Sequence, residues 1–176
     1  MINNAGYDGA NQLFTEKDPL DREQMMKVLM TVPLRLIYAA LPEMSKNGRG
    51  TIINVSSASA FLPGKRMAIY AASKAFTKSF SESLYLEVKN KGIKVQVVCP
   101  GWTDTNIFRD VSAEVKAMIF KKFKVMSPET VVDCSLKDLS KNHVVSIPGT
   151  YNKVTTTVSA IIPRSFLYRR IDKAMP

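Results

Sequence analysis

A chain of 176 residues, 45% hydrophobic and 23% charged, is long enough for one domain spanning residues 1–176 with its own core. Its net charge of +10 would suit a polyanion. Yet the lysines are scattered from Lys17 to Lys173, and the densest group, Lys121, Lys122 and Lys124, has no zinc-ligand spacing or RNA-binding aromatic motif beside it, which argues against nucleic acid. No apolar run approaches bilayer length, the opening Met-Ile-Asn-Asn-Ala-Gly has no leader-like region, and Cys99 and Cys134 make no disulfide framework, so a cytoplasmic protein with reduced thiols is expected.

Residues 1–2 read as the tail of a strand that runs into Asn3-Asn4-Ala5-Gly6. Residues 22–44 carry Met25, Val28, Leu29, Val32, Leu36 and Ala40 at helical spacing and predict a long helix kinked by Pro33. A loop over 47–50 leads to a short β-branched strand over 51–55. A second helix is predicted over 68–90, with Ile69, Ala72, Phe76, Phe80, Leu84 and Val88 on one face and Gly92 as its C-cap. Residues 93–99 form an apolar strand stopped by Pro100-Gly101; two helices follow over 111–124 and 128–141, and a last strand over 144–147. This alternation predicts an α/β fold, a parallel sheet with helices on both faces. Such sheets bind ligands beyond the carboxyl ends of their strands. The polar loops 3–6, 56–63 and 100–105 fall at those ends and are expected to converge on one crevice.

Tyr70 and Lys74 lie four residues apart in the second helix and so share a face. An ammonium beside a phenol favours the phenolate, which suits a tyrosine for proton exchange with a carbonyl oxygen. The spacing alone carries little, because Tyr85 and Lys89 match it equally well. Context separates the pairs. Thirteen residues before Tyr70 stands Ser57, at the end of the strand; thirteen before Tyr85 stands Ala72, inside a helix. A serine at a strand end is commonly a turn residue, but here it could also donate a hydrogen bond to the same substrate oxygen.

Five segments, Asn-Asn-Ala-Gly (3–6), Ile-Ile-Asn-Val-Ser-Ser (52–57), Tyr-Ala-Ala-Ser-Lys-Ala (70–75), Gly-Ile-Lys-Val (92–95) and Pro-Gly-Trp-Thr-Asp-Thr (100–105), occur in this order. Together they resemble the short-chain dehydrogenase/reductase family, motif by motif over about residues 1–110 and more loosely beyond. The resemblance implies a partial doubly wound, Rossmann-like sheet and an NAD- or NADP-dependent oxidoreductase that interconverts a small-molecule carbonyl and a secondary alcohol. It further implies Tyr70 as proton donor or acceptor, Lys74 as the group that lowers its pKa and binds the nicotinamide ribose, and Ser57 as the group that orients the substrate oxygen. Asn3, with the backbone at Ala5 and Gly6, would sit near the adenosine end of the cofactor. Pro100 and Gly101 would line the nicotinamide, Thr103 would offer backbone to its carboxamide, and Thr105 would touch phosphate or carboxamide. A homo-oligomer is also expected.

Two departures stand out. Family members carry a strand and a Thr-Gly-x-x-x-Gly-x-Gly turn upstream of Asn-Asn-Ala-Gly, and no such cluster exists among the eight glycines here. The expectation is therefore a member lacking its N-terminal strands, with a catalytically inactive remnant or interaction module as the alternative. In the first helix Leu29 occupies the position where the family usually has an asparagine that holds a water in a proton relay. Among smaller signals, His143, the only histidine, reads as a loop residue rather than a metal ligand, and no metal is expected. Cys99 reads as a buried inert thiol. Phe120, Phe123 and Met126 beside Lys121–Lys124 fit an amphipathic helix with a basic face better than a substrate lid. The tail from Pro148 to Pro176 is open between packing on its own domain, a partner subunit and peripheral contact with an anionic membrane.

Overall fold

The computed structural model describes residues 1–7, 13–108 and 112–174. Val111, where the helix over 111–124 was expected to start, and the last two residues of the tail lie outside them. Four parallel strands form one sheet in the order β1 (Ile2–Asn3), β2 (Gly50–Val55), β3 (Ile93–Val98) and β4 (Val145–Ser146). β2 and β3 pair over six residues, from Gly50 opposite Ile93 to Val55 opposite Val98. Among the described residues β1 is paired with β2 alone, and its Ile2 is 67% exposed. The strand order runs in one direction, so these residues form the partial doubly wound sheet that the strand–helix alternation implies.

Strand parity assigns the helices to faces. Ile52, Ile93 and Val95 point to one side, where they form a core with Ile37, Leu84 and Val88. Ile37 belongs to α2 (Val32–Lys46) and the two others to α3 (Ala68–Val88). Gln96, one residue on from Val95, points to the opposite side. There its Nε2 donates to Ser135 O at 3.0 Å and more weakly to His143 O at 3.4 Å, while its Oε1 accepts from Ser135 Oγ at 3.0 Å. Ser135 lies on α5 (Pro128–Ser140), so helices cover both faces.

The first helical segment starts earlier and ends later than the apolar spacing predicts. Asp18 caps α1 (Pro19–Met26) by accepting from Leu20 N at 2.8 Å, with Pro19 at the first helical position. The chain then passes through a π-helical turn, Lys27–Thr31, into α2, and Val32 N bonds back to Lys27 O. Pro33 cannot donate to Leu29 O and its ring would crowd that carbonyl; the widened turn one residue before it supplies the room. The continuous helical rod, Pro19–Lys46, has a mean hydropathy of 1.3 in its most apolar window and is long and apolar enough to cross a membrane by length and composition. That corrects the expectation drawn from unbroken apolar runs. Here the rod packs against α3 and β2 and buries Met25, Leu29 and Ile37, while Leu36 is 50% exposed.

The helix expected over 68–90 buries Leu84 and Val88 and packs Phe80 on the core as its spacing predicts, but its amino-terminal half turns a different side inward. Its buried residues are Ala71, Ser73, Lys74, Thr77, Ser81, Leu84 and Val88. Ala72 and Phe76 are exposed, and Phe76 stacks at 5.8 Å on Phe80, which packs against the core. Small side chains allow α3 to approach the sheet closely, and two of the hydroxyls bond within the helix, Thr77 Oγ1 to Ser73 O at 2.9 Å and Ser81 Oγ to Thr77 O at 2.7 Å. Gly92 adopts φ +69°, as its C-cap role requires, and a Cβ there would lie 2.0 Å from Gly48 O.

Ser112 and Ser127 cap α4 (Ala113–Lys122) and α5. The tail forms two further helices, α6 (Thr150–Ile161) and α7 (Arg164–Ala174). α7 returns to its own domain: Leu167 is buried, and Asp172 reaches Lys65 at 3.5 Å.

The Gln96 amide offers a direct test of the β3–α5 joint. Gln96→Leu keeps the volume but takes the buried Ser135 hydroxyl's acceptor away and removes the amide's bonds to Ser135 O and His143 O. Thermal unfolding followed by circular dichroism should show a loss of about 1–3 kcal/mol; an unchanged transition would mean that the amide adds nothing to the joint.

Candidate active site

The end of β2 and the amino-terminal half of α3 are stitched together at Lys74 by two consecutive residues, Val55 and Ser56, and Ser57 follows them. Lys74 Nζ donates to Val55 O at 2.9 Å, Ser56 Oγ donates to Lys74 O at 2.7 Å, and Ser57, in extended conformation, accepts from Ser59 N at 3.1 Å. Tyr70 lies one turn before Lys74, and the ammonium stands 5.6 Å from the centre of its ring. Ser57, Tyr70 and Lys74 therefore project from two elements that are locked to each other.

Lys74 is only 8% exposed. Burial pulls its pKa down to about 8. Cys99, at the end of β3, is fully buried and its thiol is pushed up to about 12, chiefly by burial, so it stays neutral and supplies no anionic partner. The reading of Cys99 as an inert thiol agrees with this.

The loop at residues 3–6 comes to the same place. A Cβ on Gly6 would stand 2.8 Å from Leu29 Cδ2 and 3.9 Å from Lys74 Nζ. Leu29 and Lys74 therefore both border the space beside Gly6, and Leu29 brings a methyl group to it. Ala5 and Gly6 are exposed. The Asn3 side chain is turned into the sheet: Nδ2 donates to Asn54 Oδ1 at 2.8 Å, and Asn54 Nδ2 donates to Ser81 Oγ at 2.9 Å.

The third loop is aligned by backbone. Ser56 N donates to Val98 O at 2.7 Å and Ala58 N to Pro100 O at 2.8 Å, which sets Pro100 beside the Ser57 turn. A Cβ on Gly101 would lie 2.3 Å from Asn152 Oδ1, so glycine is required for α6 to approach. Asn152 is held by donating to Pro148 O at 2.7 Å. Met126 forms a parallel bridge with Thr103, through Met126 N to Trp102 O and Asp104 N to Met126 O, both 2.9 Å. In that pattern the N–H and C=O of Thr103 itself point away from the bridge. Thr105 is further out and lines an open groove of about 610 Å³ with Asp104, Asn106, Phe108, Lys116 and Pro128.

Several residues outside the expected set hold this site. Asn54 and Ser56 lie within the Ile-Ile-Asn-Val-Ser-Ser segment and could have been found there; Asn152 is far from Gly101 in sequence and nothing local marks it. Tyr85 packs on the hydrophobic core and Lys89 is exposed, which leaves that pair away from Ser57. Phe120 and Phe123 join an aromatic cluster with Phe108 and Trp102, at centroid distances of 5.7–5.9 Å, while Lys121 and Lys122 are exposed. His143 faces Asp138 at 3.3 Å, and the described residues contain no cluster of metal-ligating side chains.

The family profile for short chain dehydrogenases matches residues 1–116. The very-long-chain 3-oxoacyl-CoA reductase of Bos taurus is 33% identical over 177 residues, covering 97% of this chain and 53% of that protein. The 3-oxoacyl-[acyl-carrier-protein] reductase FabG of Escherichia coli K12 is 34% identical over 119 residues, covering 68% and 48%. A short chain dehydrogenase from Burkholderia cenocepacia, solved in complex with NADP, superposes with a TM-score of 0.79 at 26% identity, over 97% of this chain and 67% of that one. The chain spans about half the length of the curated relatives it matches. With the family motifs in order and its profile matched over most of the chain, the protein belongs to the short chain dehydrogenase family.

Proposed function

We propose that this chain carries the proton-transfer half of a nicotinamide-dependent reductase that converts a ketone to a secondary alcohol, with 3-oxoacyl thioesters as substrates. The observation that carries the reading is the buried Lys74 ammonium held beside Tyr70 by Val55 O. The substrate class follows the two reductases named above, both of which are 3-oxoacyl reductases.

The residues present fit one end of NAD or NADP. Gly6 has no Cβ where one would crowd Leu29 and face Lys74 Nζ, Pro100 and Gly101 edge the Ser57 turn, and the Thr103 backbone groups face away from Met126. Tyr70, Lys74, Pro100, Gly101 and the Thr103 backbone would hold the nicotinamide and its ribose, the backbone at Asn3, Ala5 and Gly6 would lie toward the adenosine end, and Thr105 would reach a phosphate or the carboxamide. Within residues 1–176 the sequence has no Gly-rich cluster of the kind that cradles a pyrophosphate. When bound, the cofactor supplies hydride to the carbonyl carbon. Tyr70 donates its proton to the carbonyl oxygen, Ser57 orients that oxygen by a hydrogen bond, and the Lys74 charge stabilises the phenolate left behind.

Reduction of a 3-oxoacyl-CoA by NADPH or NADH, in a form carrying a Gly-rich segment upstream of Met1, tests the reading. Tyr70→Phe should lower kcat by ~10²–10⁴-fold, and Tyr85→Phe should stay near wild type. Equal losses would remove the assignment. Residues 1–176 alone should show no turnover, because positioning of the cofactor can account for about 7–11 kcal/mol of such a barrier. Robust turnover by the isolated chain would show that the pyrophosphate turn is dispensable.

The lysine predicts a pH dependence. Its pKa lies near 8, so its charge, and its help to Tyr70, is present below that pH and lost as pH rises through it. Leu29→Asn puts an amide beside the pocket and lessens desolvation, so the Lys74 pKa should rise toward 10.5. Activity near neutrality should be equal or higher, and the alkaline limb of the kcat profile should move to higher pH. An unmoved limb would show that Leu29 does not set the state of Lys74.

A further inference from the structure

Helix α6 is turned inside out relative to an ordinary surface helix. It buries Asn152, Thr156 and Ser159. Its apolar residues Tyr151, Val154, Val158 and Ile161 are 41%, 55%, 44% and 78% exposed. Their spacing of three, four and three residues aligns them in one stripe. The buried polar groups are satisfied locally: Thr156 Oγ1 donates to Asn152 O at 2.8 Å, Ser159 Oγ to Thr156 O at 2.7 Å, and Asn152 to Pro148 O. The inward face therefore loses nothing by being polar, while the outward face leaves four large apolar side chains in water.

Charge identifies what covers the stripe. Between Asp138 and Asp172 the sequence has no acidic residue but contains Lys141, Lys153, Arg164, Arg169 and Arg170. Asp172 is engaged with Lys65. Lys153 lies within the helix, and Arg164 follows Ile161 by three residues. Phe166 and Tyr168, in the helix that follows, are 52% and 54% exposed. A second copy seated symmetrically on this stripe would bring like charges together, with no acidic group in the segment to offset them. An anionic lipid surface matches both properties, because it takes apolar side chains at its acyl boundary and attracts the lysine and arginines at its headgroups. We propose that the outward face of α6 docks on an anionic bilayer surface, lying in its plane rather than crossing it. The inference stands on the surface of α6 and does not depend on the catalytic reading.

Co-sedimentation of the full chain with phosphatidylcholine vesicles, with and without phosphatidylserine, tests it. The chain should bind the anionic vesicles, bind plain phosphatidylcholine weakly, and release as salt is raised. The combined substitution Val154→Ser, Val158→Ser and Ile161→Ser, at exposed positions, should lower the bound fraction by on the order of tenfold with an unchanged circular dichroism spectrum. Should that variant misfold, Lys153→Glu with Arg164→Glu gives an independent readout and should weaken binding to the anionic vesicles alone. Tyr70→Phe should bind as the wild type does, which separates this test from that of the reaction. Three results would each overturn the proposal: no binding by the wild-type chain, undiminished binding by folded variants of both kinds, or a vesicle-free dimer that the triple substitution dissociates.

Discussion

A lysine ammonium taken out of water is the constraint around which this site is organised. The fall in the Lys74 pKa from 10.5 to about 8 corresponds to roughly 3 kcal/mol of preference for the neutral form. One hydrogen bond to Val55 O and the face of the Tyr70 ring offset part of that cost. Among the described residues no carboxylate does, and the Cys99 thiol remains neutral. Between pH 8 and 10.5 the unfolded chain keeps a proton that the folded chain has released, so this group favours folding more as pH rises through that window. A lysine held at this expense next to a phenol suits the proton-transfer role proposed for the pair.

The surroundings follow from the need to bring that lysine close to the sheet. The inner face of α3 presents Ser73, Thr77 and Ser81, small enough for near approach. The Asn3–Asn54–Ser81 chain of hydrogen bonds then ties β1, β2 and α3 into one unit. A slip of one residue between β1 and β2 would turn Asn54 away and leave its partners unpaired, so the polar network also specifies register. The same logic operates on the other face, where Gln96 and Ser135 hold α5.

The third loop depends on parts of the chain remote from it. Asn152 of α6 stands against Gly101, and Met126 bridges Thr103. α6 therefore meets the site with its polar face, which accounts for why asparagine, threonine and serine lie inside and its apolar residues outside.

Much of this was legible from the amino-acid sequence because the signals are local. The β-branched run before Ser56, the glycine after α3 and the ordered motifs specify strands, a cap and the Ser57–Tyr70–Lys74 set, since each depends on backbone preference or on spacing within one element. The apolar spacing marked Phe80, Leu84 and Val88 correctly, but the amino-terminal half of the inward face of α3 was misjudged because periodicity marks where apolar residues align, not how near a neighbouring sheet lies; close approach selected serine and threonine and left Ala72 and Phe76 outside. The early start of α1 was written in Asp18-Pro19, but the π turn was not, because it reconciles Pro33 with a helix that continues on both sides. The depressed Lys74 pKa, the contact of Leu29 with Gly6 and the seat of Asn152 on Gly101 were decided only by tertiary structure, because desolvation and steric contact depend on which distant segments meet.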